Sequence, residues 1–138
     1  MTRRGILGAG GGLTLAGLLS ACSPLGLLNT FGPRDDGARR VAQDIAYGED
    51  PRQVMDIYAP AWRPGQPTLP VVVFFYGGGW DTGSRLEYGW AAQALAAQGF
   101  VVALPDYRLV PEVVFPVFIE DAATATARAA ISAGAYGG

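Results

Sequence analysis

Three consecutive glycines, Gly77, Gly78 and Gly79, stand between Tyr76 and Trp80 and directly follow an apolar run. Glycine lets the backbone approach a ligand closely and adopt positive φ, so a glycine loop can direct several N–H groups at one atom. Such groups stabilise the charged oxygen of the tetrahedral intermediate in acyl transfer. Ligands of α/β folds also bind at the carboxyl ends of parallel strands. The segment therefore predicts an oxyanion-binding loop, and a glycine turn without a catalytic role is the alternative.

The composition of the chain excludes several other chemistries. A Walker A phosphate loop needs a lysine after its glycines, and the 138 residues contain none; the G-x-G-x-x-G dinucleotide pattern is also missing at this turn. Histidine is absent, so the general base of a Ser/His/Asp triad cannot come from this chain alone. One cysteine and no histidine also exclude a metal site built from thiolates or imidazoles, and we predict no cofactor.

Short apolar segments predict the strands that position the glycine loop. Residues 41–47 and 54–58 are candidate strands, and the turn residues 48–51 between them predict a hairpin. The continuous apolar run 71–75 predicts a strand that is buried on both faces of a parallel sheet. Residues 100–104 predict a second strand of the same buried type.

Helical segments alternate with these later strands. Ser84 and Glu87 form a capping-box pattern at the start of a helix, and Gly99 is a natural end for it. Pro116 can begin a further helix that extends to about Ser132. The order β-β followed by β-α-β-α predicts an α/β sandwich with a mainly parallel sheet. The predicted buried face of the first helix contains Leu86, Trp90, Ala91, Ala94 and Leu95.

The first residues of the chain predict an export signal. Arg3 and Arg4 precede the apolar run 6–21, which is shorter than the roughly 20 residues of a spanning helix. Residues 19–22, Leu-Ser-Ala-Cys, resemble a bacterial lipobox, in which the cysteine becomes the lipidated first residue of the mature protein. Residues 2–7 also resemble a twin-arginine signal. An ordinary cleaved signal and an uncleaved membrane anchor are the alternatives.

These features divide the chain into three parts. Residues 1–21 are the predicted export signal, residues 22–39 a flexible tether, and residues 40–138 the α/β domain. The predicted partner at the amino-terminal end is a membrane, bound through a lipid on Cys22, and the predicted location is the bacterial cell envelope. The net charge of -2 and the absence of lysine give no indication of nucleic acid as a partner.

Several motifs in residues 40–134 resemble the α/β-hydrolase carboxylesterases and lipase-like enzymes. The loop 76–80 resembles their His-Gly-Gly-Gly-Trp oxyanion loop, which lies between the third strand and the first helix. Residues 55–60 resemble the family's D-x-Y-x-P segment, and residues 106–121 resemble its "DYRL-PE…FP…ED" stretch. The resemblance implies the three-layer α/β-hydrolase sandwich, of which these residues form only the N-terminal part, before the nucleophile elbow.

The resemblance also implies an activity, the hydrolysis of a small-molecule carboxylic ester by a serine mechanism. Gly78 and Gly79 would donate hydrogen bonds to the oxyanion or shape its site, and Gly77 would set the turn. Tyr76 and Trp80 would line the substrate pocket, although a packing role suits Trp80 equally well. Tyr76 stands where many family members have histidine, so the hydrogen bonding behind the loop is expected to differ.

The rest of the family pattern is missing from these residues. No Gly-x-Ser-x-Gly elbow follows the last predicted helix, and the acid and histidine of the triad are also missing. We therefore expect the chain as given to be incomplete and inactive. In the family the third strand lies between the fourth and the fifth, so residues 71–75 are expected to form an apolar sheet edge.

Four charged residues near the loop have two interpretations. They form a buried ion-pair network that fixes the loop, or they are solvated surface charges. The four residues are Asp106, Arg108, Glu112 and Asp121.

Two other functions fit the same sequence, a non-catalytic envelope lipoprotein that retains the fold and an α/β-hydrolase that cleaves peptides or amides.

Overall fold

The structure is a computed structural model that describes residues 24–31 and 35–138. The predicted export signal and Cys22 lie outside the described residues. In the described part of the chain, no helix is both long and apolar enough to cross a membrane. Its elements are α1 (Pro24–Phe31), β1 (Ala38–Ala46), β2 (Val54–Pro60), β3 (Val71–Val73), a 3-10 turn (Arg85–Glu87), α2 (Gly89–Ala97), β4 (Val101–Pro105), α3 (Val117–Ser132) and a second 3-10 turn (Ala133–Tyr136).

The four strands form one sheet in the order β1-β2-β4-β3. β1 and β2 form the predicted hairpin, with Ala38 opposite Pro60 and Ala46 opposite Val54. β4 pairs antiparallel with β2 and parallel with β3. The predicted mainly parallel sheet is therefore wrong for the described residues, because parallel neighbours need a crossover connection and only β3 and β4 are joined by a helix.

Helices on both faces of the sheet give three layers. β4 is buried along its whole length, as predicted, and its residues alternate between the two faces. Val102 and Leu104 pack in the same core as Ala92 and Ala96 of α2. The opposite face carries a second core, formed by Met55, Ile57, Ala59, Val101, Ala103, Ala125, Ala129 and Ala133. The predicted α/β sandwich is confirmed in this arrangement.

Three local details differ from or add to the sequence predictions. The prediction that residues 71–75 are buried on both faces is wrong, since β3 is only partly buried and Val71 is 39% exposed. β3 is an edge strand of the described sheet, as expected for this segment. The predicted buried face of the first helix is wrong for most of its residues. Leu86, Trp90 and Ala94 are exposed and only Leu95 packs against the core, which Gly89, Ala92 and Ala96 face instead. α2 begins after the 3-10 turn, which changes the helical phase, and small residues let it lie close to the sheet. The segment predicted as a tether contains α1 and the first residues of β1.

Candidate active site

The glycine loop begins where β3 ends, beside the carboxyl end of β4. The Phe74 N–H donates a hydrogen bond to the Ala103 carbonyl (2.8 Å) and extends the parallel pairing past β3. Gly78 (φ 146°) and Gly79 (φ 63°) then adopt positive φ, as does Trp80 (φ 69°). Positive φ at the three successive residues 78–80 turns the chain sharply away from the sheet, and Gly77 and Gly79 are exposed.

Hydrogen bonding within the loop fixes the Gly78 carbonyl group and leaves the three glycine N–H groups unused by the described residues. The Gly78 carbonyl accepts from the N–H groups of Asp81 (3.2 Å) and Thr82 (3.1 Å) and from the Thr82 hydroxyl (3.0 Å). Across the described residues, the N–H groups of Gly77, Gly78 and Gly79 donate to no other group of the chain. The loop therefore offers backbone donors to an incoming anionic oxygen.

Gly78 cannot be replaced without moving the loop. A Cβ atom on Gly78 would overlap the Thr82 carbonyl oxygen and lie 2.9 Å from the Thr82 carbonyl carbon. The φ of 146° is a conformation that residues with a side chain rarely adopt. A Cβ atom on Gly77, by contrast, would meet no atom within 4 Å.

Trp80 is held beside the loop in a conformation that is unusual for a bulky residue. Its carbonyl accepts a hydrogen bond from the Val110 N–H (2.9 Å). Its ring stacks on Phe118, with centroids 4.7 Å apart, and tilts against Tyr107 at 5.3 Å. These contacts support the left-handed backbone, whose cost is about 1–3 kcal/mol. The side chain is 38% exposed, so part of the ring is accessible next to the N–H donors.

Tyr76, the first residue of the loop, has its side chain behind the loop. It is 3% exposed, and its ring stacks on Tyr107 at 4.8 Å and on Tyr88 at 5.5 Å. The hydroxyl donates to Asp106 Oδ1 (2.9 Å) and accepts from Arg52 Nη2 (3.0 Å). The position where the family often has histidine is therefore occupied by a buried tyrosine with two polar partners.

A buried ionic cluster centred on Arg85 connects the loop to the sheet. The Arg85 guanidinium donates to Asp56 Oδ1 (3.1 Å), to Asp106 Oδ2 and to Asp44 Oδ1. Asp44 lies at an irregularity of β1 and has positive φ (55°). Such an irregularity commonly redirects a side chain of a strand. Burial lowers the pKa of Arg85, but the carboxylates of Asp56 and Asp106 outweigh it and raise that pKa, so the guanidinium stays charged.

Asp121 forms a separate cluster with Arg108. The Arg108 side chain donates to it from Nε (2.9 Å) and Nη2 (2.6 Å), and the Arg108 N–H donates at 3.0 Å. The Gln53 side chain adds a fourth hydrogen bond at 2.8 Å. Burial raises the pKa of Asp121, yet the hydrogen bonds from Arg108 and Gln53 outweigh burial and hold it below its usual value.

Of the four charged residues singled out in the sequence, the structure places three in ion pairs and one on the surface. Asp106 and Asp121 are buried in ion-pair clusters, as in the first interpretation, and Arg108 pairs with Asp121. Glu112 is exposed. Sequence reasoning missed Arg85, and it found Asp56 only as part of the segment 55–60 and not as a member of an ion-pair cluster. Asp56 carried a usable signal, because a carboxylate inside an otherwise apolar strand requires a partner.

A cavity of about 590 Å³ lies away from the glycine loop. Its lining comes from β1, β2, residues 61–66 and the second 3-10 turn, includes Arg39, Trp62 and Tyr136, and contains no residue of the glycine loop. No group of three or more potential histidine, cysteine, aspartate or glutamate ligands occurs in the part of the chain that the structure describes.

Comparison with known proteins finds a family model and curated relatives that match more than half of this chain. The BD-FAE family model matches residues 55–137. Esterase LipC of Mycobacterium tuberculosis is 40% identical over 95 residues, which cover 68% of this chain and 23% of LipC. The probable isoprenylcysteine alpha-carbonyl methylesterase ICME of Oryza sativa is 35% identical over 101 residues, 73% of this chain and 24% of ICME. The chain therefore spans about a quarter of the length of these relatives.

A solved structure has the same fold as the described residues. It is an inhibited esterase B from Lactobacillus rhamnosis, with a TM-score of 0.72 and 27% sequence identity. The alignment covers 89% of this chain and 40% of that one. The α/β-hydrolase fold predicted from the motifs is confirmed by this similarity, and the elements present are those of its N-terminal part.

Proposed function

The chain belongs to the BD-FAE family, and from this premise we propose that it supplies the oxyanion loop of a serine hydrolase that cleaves carboxylic esters. One observation carries the proposal. The N–H groups of Gly77, Gly78 and Gly79 are unused by the described residues, and they lie directly after a parallel strand. This is the position from which α/β-hydrolases donate to the oxyanion.

The proposed reaction begins when a serine hydroxyl attacks the ester carbonyl carbon and a histidine takes the hydroxyl proton. The carbonyl oxygen becomes an oxyanion, which accepts hydrogen bonds from Gly78 and Gly79 and from the residue after the serine. The alcohol leaves with the proton from the histidine, and water then hydrolyses the acyl-enzyme. Because these 138 residues contain no histidine, the proposal requires that the triad comes from other residues.

Trp80 and Tyr76 have different roles in this proposal. The exposed part of the Trp80 ring would contact the substrate beside the donors, and stacking on Phe118 holds it there. The Tyr76 ring is buried, so this residue would act on the loop from behind and contribute to the pocket only through its backbone.

We also propose that the protein is exported and held at the bacterial cell envelope by a lipid on Cys22. The support is in the sequence alone, where the single cysteine ends an apolar run in a lipobox-like context. The ester substrates would then be those that reach the membrane surface on which the protein is anchored.

The test of the proposed activity uses the complete protein with nitrophenyl esters of short acids and with the matching nitroanilides. We expect ester turnover and stoichiometric labelling of one serine by a fluorophosphonate. Residues 1–138 alone should give no turnover above a buffer blank, because no histidine is present to activate a serine. Cleavage of only the anilides would identify an amide hydrolase, and no cleavage of either together with no labelling would identify a binding protein.

A further inference from the structure

The glycine loop lies within the segment 76–85, and both ends of this segment bind to a single carboxylate oxygen. Oδ1 of Asp106 accepts from the Tyr76 hydroxyl (2.9 Å), at the first residue of the loop. The same oxygen accepts from the Arg85 N–H (2.7 Å), directly after the loop returns to the helical layer. Asp106 follows β4 and is buried, so this oxygen is a fixed point of the sheet.

Arg52 makes a second connection between the same two ends. Its Nη2 donates to the Tyr76 hydroxyl (3.0 Å) and to the Gly83 carbonyl (2.8 Å). Its Nε donates to the Tyr107 carbonyl (2.8 Å), which holds the guanidinium against the chain after β4. The Tyr76 hydroxyl therefore uses its one proton as a donor and one lone pair as an acceptor. Each bond links the start of the loop to the returning chain, through Asp106 to Arg85 and through Arg52 to Gly83.

The position of the Tyr76 ring is closely defined by its surroundings. Tyr88 and Tyr107 stack on it, and the Tyr107 hydroxyl donates to the Tyr76 carbonyl (2.8 Å). A Cβ atom on Gly83 would lie only 2.7 Å from the ring, so this glycine lets the returning chain pass directly over it. Burial and the Asp106 carboxylate raise the pKa of Tyr76 far above the physiological range, and the hydroxyl therefore keeps the proton that it donates.

We propose that Tyr76 is a positioning residue of this site, which uses Asp106 and Arg52 to hold the two ends of the oxyanion loop together. The proposal rests on the proposed function for its effect on turnover, because it assigns the geometry of the N–H donors to a side chain that never touches the substrate. It also has a purely structural consequence, which can be measured in the absence of any activity.

The test compares two substitutions of the same kind in the complete protein. Tyr76→Phe removes the hydroxyl that connects Asp106 and Arg52. Tyr47→Phe is the matched control, because the buried Tyr47 hydroxyl donates to the main-chain oxygen of the same Asp106 (2.6 Å) and makes no bond to residues 76–85. Each variant loses one buried phenol hydrogen bond to Asp106, and Tyr76→Phe loses in addition the bond from Arg52, so Tyr76→Phe should lose more stability.

We expect Tyr76→Phe to lower kcat at least about tenfold with KM within about twofold, since a catalytic group misplaced by about 1 Å can cost roughly 10²-fold. Tyr47→Phe should leave kcat within about twofold. Hydrogen exchange should accelerate at the hydrogen-bonded amides of Asp81, Thr82 and Arg85 in Tyr76→Phe only. Tyr76→His, which restores a polar side chain of the kind common in the family, should recover part of both losses.

The two readouts separate this proposal from the proposed function. Equal exchange at the loop amides in Tyr76→Phe and Tyr47→Phe would overturn the positioning role, whatever the activity. Faster exchange in Tyr76→Phe alone supports the positioning role even if the wild-type protein hydrolyses no ester, a result that would count only against the proposed function. If Tyr76→Phe does not fold, Arg52→Met provides the comparison, because it removes the bonds to the Tyr76 hydroxyl and to the Gly83 carbonyl. Equal exchange at the loop amides in Arg52→Met and Tyr47→Phe would then overturn the positioning role.

Discussion

Replacing Gly78 by alanine should displace the oxyanion loop and leave the rest of the protein folded. The new Cβ would overlap the Thr82 carbonyl oxygen, which is a main-chain atom and cannot rotate away as a side chain could. The three hydrogen bonds to the Gly78 carbonyl come from the same segment, so relief of the overlap must disturb them. The loop, rather than its neighbours, is the part that can move.

The size of the effect follows from this geometry. A φ of 146° costs an alanine about 1–3 kcal/mol, which is a fraction of the roughly 5–15 kcal/mol that stabilises a typical domain. The protein should therefore stay folded with a lower melting temperature. The overlap requires a shift of about 1 Å, and oxyanion donors must lie within about 2.7–3.1 Å of the charged oxygen. We expect kcat to fall about 10²-fold in the complete protein.

The assay measures kcat and KM on a nitrophenyl ester, together with thermal unfolding. Gly134→Ala is the control, because this exposed glycine has no positive φ and a Cβ there meets no atom within 4 Å. It should leave kcat and stability close to those of the wild type. If Gly78→Ala also kept wild-type kcat and melting temperature, the loop geometry would have no part in the mechanism and the contact between Gly78 and Thr82 would not constrain the loop.

Three further predictions test other parts of the structure. Arg85→Ala should lower the free energy of unfolding by about 3–5 kcal/mol, because it leaves the buried carboxylates of Asp56 and Asp106 without their shared cation; a loss below about 1 kcal/mol in urea unfolding at pH 7 would contradict this. Asp121 has a lowered pKa in the folded state, so its stabilisation is present above the unfolded pKa of 3.8 and is lost as pH falls through the folded pKa. Asp121→Asn should therefore reduce the difference in stability between neutral and acidic pH, and an unchanged difference would argue against the ion pair. Cys22→Ser should release the protein from membranes and block processing, and the lipid anchor is excluded if the variant stays in the membrane fraction and is cleaved at the same point.

The elements that depend on local sequence were predicted well. The β1–β2 hairpin follows from two short candidate strands around turn residues, and the buried strand β4 follows from a continuous apolar run. The helix that begins after Pro116 and ends at Ser132 matches its predicted bounds. These features are set by residues close together in the chain, so periodicity and turn chemistry were enough to find them.

The features that depend on distant residues were not predicted. The direction of β2 relative to β4 is decided by how the chain returns after residue 60, which no local pattern records. Arg85 lies 29 residues after Asp56 and 21 before Asp106, so no local pattern connects these three residues. The buried face of α2 was wrong because the preceding 3-10 turn changed the helical phase. The positive φ expected of the glycine loop is found at Gly78 and Gly79, while the same conformation at Trp80 depends on long-range packing on Phe118.

The carboxylate of Asp106, which binds both ends of the loop segment, also has a consequence for when the site can form during synthesis. Asp106 lies 30 residues after Tyr76, so the glycine loop leaves the ribosome well before the group that connects its two ends. Domains fold largely as units, and the amino-terminal segments are synthesised first. The loop can take its final shape only after β4 has been synthesised and has paired with β2 and β3. A nascent chain arrested before residue 106 should therefore contain the hairpin and the glycines, with the donors not yet assembled into a site.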